Sequence, residues 1–169
     1  MILPDLSIHL IRKHVPRQLQ LLTDDKIKLF HRLKLHDAEP EEIIGSLIGY
    51  DTIETDVNCG GYCDYLKSEI ALNDRSLKTI FHEIAHGLQA EIGILEVGDY
   101  SVISRNLKDE WQAETIAYLL MKNTVSKNVD HRMFKSYFDE EHINFLTEWY
   151  EGFAEDDFTD NENINLIKY

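Results

Sequence analysis

The most regular stretch of the chain runs from Leu77 to Leu88. Leu77, Ile80, Phe81, Ile84, Ala85 and Leu88 recur at i, i+3, i+4, i+7, i+8 and i+11, an apolar stripe at the helical period. Asn73 or Asp74 supplies an N-cap before it, and Gly93 can close it. Upstream, apolar positions at Ile8, Leu10, Ile11, Leu19, Leu21 and Leu22 are broken by Pro16. Asp24-Asp25 is predicted to cap a short amphipathic helix with Ile27, Leu29, Phe30 and Leu33 on its apolar side. Pro40-Glu41-Glu42 opens another helix, with proline in the first turn and acid at the positive end. Its buried side is Ile43, Ile44, Leu47 and Ile48.

Strand patterns lie between these helices. Thr52-Ile53-Glu54-Thr55-Asp56-Val57 alternates and is β-branched, so it reads as a strand. Asn58 to Gly61 reads as a turn, and Tyr62 to Leu72 as a second strand. That strand ends in Glu69-Ile70-Ala71-Leu72-Asn73 and enters the striped helix directly. An edge at that place would hold a peptide by adding it as one more strand. Beyond the helix, residues 94–106 read as a loop with a short strand at Tyr100 to Ile103. A second helix follows at Leu107 to Lys122. His142 to Phe153 reads as a third, with Ile143, Leu146, Trp149, Tyr150 and Phe153 on one face. The acidic tail from Glu155 is expected to fray.

Composition changes this picture little. The chain has 169 residues, 43% hydrophobic and 28% charged, which suits one soluble domain. We take residues 1–169 as a single unit, with a core at about 41–123 and helical extensions at 1–40 and 124–169. The net charge is −14, which disfavours direct binding to a phosphate backbone. The loose basic run Lys26 to Lys34 would be scattered by helical spacing. Met1 to Leu10 carries Pro4, Asp5 and His9 and no long apolar run, so no signal peptide is expected. No stretch reaches the ~20 apolar residues of a membrane span. The expectation is a cytoplasmic protein without a membrane partner. Cys59 and Cys63, separated by three residues and with no second pair, are weak as zinc ligands and read as reduced thiols. An oxidised pair or a redox role stays open for them. His9, His14, His31 and His36 have no histidine four residues away and read as ordinary surface or core histidines.

The chemistry sits on the striped helix. His82-Glu83-Ile84-Ala85-His86 is an H-E-x-x-H, and the two histidines stand one turn apart, roughly opposite the stripe. They can therefore hold one divalent metal from the same side, with Glu83 beside them as general base. A catalytic zinc usually takes three protein ligands. The second helix supplies candidates in Glu110 and Glu114, also one turn apart. Ala113 and Ala117 on the same side permit close approach to the first helix. One glutamate could bind metal while the other accepts a hydrogen bond from a ligating histidine.

His82 to His86, followed by Glu110-Trp111-Gln112-Ala113-Glu114-Thr115-Ile116-Ala117-Tyr118-Leu119-Leu120, resembles the ImmA/IrrE-type zinc metallopeptidases. These are compact gluzincins common in bacteria, phages and mobile elements. The likeness covers about residues 60–122. Ile116 stands where an aromatic is frequent, and no proline follows Leu120-Met121. The resemblance implies His82, His86 and Glu110 as metal ligands, Glu83 as catalytic base and Glu114 as support for a histidine. It also implies a specific regulatory protein, such as a transcriptional repressor, as substrate. SprT-like metallopeptidases share the H-E-x-x-H but want a third histidine, for which only His131 and His142 are available.

The resulting expectation is a Zn2+-dependent peptidase that hydrolyses a peptide bond with metal-activated water. Mn2+ or Fe2+ is compatible with the same donors. The alternative is a non-proteolytic metal-binding or protein-interaction module on the same scaffold. For the oxyanion donor, Tyr62, Tyr65, Tyr100, Tyr118 and His131 remain equal candidates. The expected fold is α+β and zincin-like: a small, mostly antiparallel sheet packed on the active helix, with helices added at both ends.

Overall fold

A computed structural model of the chain describes residues 15–57, 60–93 and 107–125. The expected strand at Tyr100 to Ile103, the helix at His142 to Phe153, and Cys59, His9, His14, His131 and His142 lie outside these residues. Among the described residues the class is α+β. Four α-helices, α1 (Arg17–Arg32), α2 (Pro40–Ile48), α3 (Leu77–Glu91) and α4 (Leu107–Thr124), accompany three strands. The strands are β1 (Asp51–Glu54), β2 (Gly61–Asp64) and β3 (Glu69–Leu72), and a 3-10 turn spans Leu35–Asp37.

The first helix is longer than its caps suggested. Asp24 and Asp25 do not start it; they lie in its middle, and the helix begins directly after Pro16. The fixed φ of proline suits a helix entry as well as a break. Asp24 is buried and pairs with Lys28 at 3.0 Å, one turn on. Leu33, assigned to the apolar side, is 46% exposed just past the end of the helix. The second helix follows its pattern: Pro40 stands in the first turn, and Ile43, Ile44 and Leu47 are buried. Gly49 ends it at φ +72°, a left-handed position where a Cβ would be strained.

The sheet is mixed, with order β1-β3-β2. β1 pairs parallel to β3, with Asp51 opposite Glu69 and Glu54 opposite Leu72. β2 pairs antiparallel to β3, with Gly61 opposite Leu72 and Asp64 opposite Glu69. The expectation of a mostly antiparallel sheet is thus corrected. Tyr62 to Leu72 is also not one strand but a hairpin, turning over Tyr65–Ser68 with Ser68 at φ +54°. The Asp64 carboxylate accepts the Lys67 amide inside that turn. β1 stops at Glu54, short of the expected Val57.

Because β3 is central, both of its sides are occupied and it offers no edge to a peptide. Its residues Ile70, Ala71 and Leu72 are all buried, as a strand covered on both faces should be. The edges left unpaired among the described residues belong to β1 and β2.

α3 is the hub. Ile80, Phe81, Ile84, Ala85 and Leu88 are fully buried, as the stripe requires. α2 and β2 pack against it, and α4 lies along it. Burying a side chain of this kind stabilises by roughly 1.5–3 kcal/mol, so the stripe fixes how the helix is rotated. The opposite side, which carries the histidines, is then left to face α4. Ala113 and Ala117 are fully buried in the shared core. The N-cap of α3 is Ser76, not Asn73 or Asp74. Its hydroxyl accepts the Thr79 amide at 3.3 Å. Asp74 backs the cap instead, accepting from the Ser76 amide at 2.9 Å and the Thr79 hydroxyl at 2.7 Å. Gly93, at φ +74°, follows the C-cap residue Ile92.

Candidate metal centre

The first two turns of α4 set two carboxylates against the second and third turns of α3. Glu110 faces both histidines. One of its oxygens lies 3.1 Å from Nε2 of His82 and the other 3.2 Å from Nε2 of His86. The donor atoms of His82, His86 and Glu110 all lie within 4.8 Å of one another. Donors around a four-coordinate zinc at ~2.0–2.2 Å stand roughly 3–3.5 Å apart. The separations from Glu110 to each imidazole therefore suit one ion. Among the described residues this is the one group of three or more such side chains that can hold a metal.

Both imidazoles are held from behind. The Nδ1 of His82 lies 2.5 Å from a Glu114 oxygen. The Nδ1 of His86 lies 2.7 Å from the side-chain oxygen of Gln89. Each ring therefore presents Nε2 to the same place and uses Nδ1 to hold its orientation, the usual arrangement of histidines that ligate metal. The rings stand edge to face, with centroids 4.7 Å apart.

Burial makes the charges here unequal to one another. Glu83, Glu110 and Glu114 gather three carboxylates around two imidazoles, and Glu83 and Glu114 are 6% and 1% exposed. Burial opposes charge on His82, but hydrogen bonds to Glu110 and Glu114 outweigh it and raise its pKa to about 10. Glu110 is likewise disfavoured as an anion by burial, yet its bonds to His82 and His86 hold its pKa well below the carboxylate range. For Glu83 burial wins, and its pKa is raised. A buried excess of negative charge is costly unless a cation compensates it. The donor set and its charge both fit a divalent ion.

The structure thus brings together His82, Glu83, His86, Glu110 and Glu114, the five residues expected at the site. It adds Gln89, which sequence reasoning missed. The signal was its place three residues after His86, where helical side chains meet. Cys63, by contrast, is buried on β2. Burial, with the charges of Glu83 and Asp64, pushes its thiol far up and keeps it neutral. His31 and His36 pack against each other and against Phe30 at the end of α1. His31 bonds the Asn123 carbonyl at 2.7 Å, at the far end of α4 from Glu110. Tyr118 is buried with Lys122 above its ring, and Tyr62 lies on β2 opposite Ala71. Among the described residues no helix is long and apolar enough to cross a membrane. Comparison with protein-family models, with curated proteins and with solved structures finds no match to this chain.

Proposed function

We propose that this chain is a zinc-dependent metallopeptidase of the gluzincin type, cutting a peptide bond in a specific protein such as a repressor. The observation that carries the reading is the convergence of His82, His86 and Glu110 from two helices, with Glu83 buried in the same turn as His82. The order of the two motifs along the chain, which resembles the ImmA/IrrE-type peptidases, supports it.

His82, His86 and Glu110 would hold the ion. Bound there, zinc supplies a Lewis acid that acidifies water and polarises a scissile carbonyl. Glu83 acts as general base. Its raised pKa suits a carboxylate that takes a proton from water and then releases it to the leaving amine. Glu114 holds the His82 ring through Nδ1, which fixes its orientation and would leave Nε2 to the ion. An extended substrate would add to the edge of β2, the outer strand packed on α3.

The test is metal analysis together with cleavage of candidate repressors by wild type and Glu83→Gln. The substitution keeps the metal ligands and removes the base. Bound zinc with cleavage by wild type only is the expected result. Cleavage retained by Glu83→Gln would overturn the base assignment. Zinc without cleavage of any candidate by wild type would favour a binding module instead.

A further inference from the structure

We propose that Gln89 is a positioning residue that holds His86 with Nδ1 protonated and Nε2 free to ligate, from an anchor on the first turn of α4. The proposal rests on the metal reading above and adds a residue to it. Gln89 is fully buried. Its amide nitrogen donates to the Asp109 main-chain carbonyl at 2.9 Å and lies 3.4 Å from the Gln112 side-chain oxygen.

A carbonyl can only accept, so the amide cannot be turned round without losing that bond. The Gln89 oxygen must therefore face His86, where it lies 2.7 Å from Nδ1. An oxygen without a proton needs a donor, so Nδ1 carries hydrogen. In a neutral ring that leaves the lone pair on Nε2, the atom facing Glu110.

The anchor has a second consequence. Asp109 directly precedes Glu110, so one side chain of α3 both sets a ligating ring and fixes the backbone that delivers the third ligand. The choice of an amide also follows from charge. Three carboxylates already surround the two imidazoles, and a fourth behind His86 would be a further buried anion. Glutamine supplies the acceptor without charge. The two ligating histidines are thus backed differently, His82 by an acid and His86 by an amide.

The test measures zinc affinity by chelator competition for wild type, Gln89→Met and Gln89→Glu, and follows metal-free folding by circular dichroism. Gln89→Met keeps the volume and removes the acceptor. It is expected to bind zinc about 10–100-fold more weakly than wild type. Gln89→Glu keeps an oxygen toward Nδ1 but loses the bond to the Asp109 carbonyl and adds a buried anion, so it should fall between wild type and Gln89→Met. A role in packing alone predicts the reverse order, because a buried carboxylate costs more than a buried thioether. That reversed order, or unchanged affinity in Gln89→Met, would overturn the proposal.

Should Gln89→Met not fold, nitrogen NMR of zinc-loaded wild type decides. A slowly exchanging His86 Nδ1 proton is expected, and zinc on Nδ1 or a freely exchanging proton would overturn the proposal. Wild type that binds no zinc overturns the metal reading and this proposal together. Zinc-binding wild type with an indifferent Gln89 overturns this proposal alone.

Discussion

Replacing Glu114 separates a residue that supports a ligand from one that is a ligand. Its carboxylate is 1% exposed and one oxygen lies 2.5 Å from Nδ1 of His82. A hydrogen bond to a charged group of this kind is worth roughly 1.5–3 kcal/mol. Loss of such a support typically weakens metal binding by about 10–100-fold, which is ~1.4–2.7 kcal/mol. Glu114→Gln keeps the shape and can still accept through its oxygen, so its loss should fall near the lower end, about 10-fold. Glu114→Ala leaves the Nδ1 proton without its acceptor and should approach about 100-fold. Glu110→Ala removes a donor atom from the ion itself and should cost more than either. The assay is zinc competition against a chelator at constant pH, with the thermal midpoint of each metal-free variant as control. Equal losses in Glu114→Ala and Glu110→Ala would refute the division of roles. So would a Glu110→Ala variant that binds zinc better than Glu114→Ala.

Other expectations concern the scaffold that carries the site. Ser76→Ala removes the α3 N-cap and should cost about 0.5–2 kcal/mol in denaturant unfolding; an unchanged midpoint would contradict the cap. The Thr79 hydroxyl and the Ser76 amide hold the Asp74 carboxyl below its ordinary value of 3.8. Its stabilising contribution is therefore present above about pH 4 and lost as pH falls through the lowered native value. Asp74→Asn should flatten that acid limb, and an identical limb would sink the assignment. At Gly61 a Cβ would stand 2.6 Å from the Ala71 carbonyl oxygen, a main-chain atom that cannot step aside. Gly61→Ala should cost about 1–3 kcal/mol, and an unaffected melting temperature would contradict the close approach. In a Cys59→Ser background, Cys63 should resist thiol reagents at pH 8 until the chain unfolds, because its thiol is buried and neutral. Prompt labelling of native protein would contradict that burial.

What could be read in advance depended on whether local pattern and tertiary placement agreed. The α3 stripe and the histidines opposite it were legible because one periodicity settles both the buried side and the side left over. Pro40 with Glu41 and Glu42 announced α2 for the same local reasons. Glu110 and Glu114 were legible as a one-turn pair, but which met which histidine depended on how α4 lies on α3. The hairpin was not legible. Its turn, Tyr65-Leu66-Lys67-Ser68, has no glycine, proline or asparagine, and Ser68 takes the left-handed conformation without that usual marker. Asp24-Asp25 looked like a cap because acidic residues favour helix starts, while the pairing of Asp24 with Lys28 lets it sit inside a helix. At α3 three residues with acceptor side chains, Asn73, Asp74 and Ser76, compete for the cap. The side-chain bonds of Asp74 decide in favour of Ser76. Gln89 escaped notice because an amide three residues after a histidine is unremarkable until the Asp109 carbonyl fixes its direction.

X-ray absorption at the zinc edge of the loaded protein tests the ligand set directly. Nitrogen and oxygen scatterers at about 2.0–2.2 Å are expected, with two imidazoles in wild type and one in His86→Ala. A sulfur shell at about 2.3 Å, or an imidazole count that His86→Ala leaves unchanged, would contradict that ligand set.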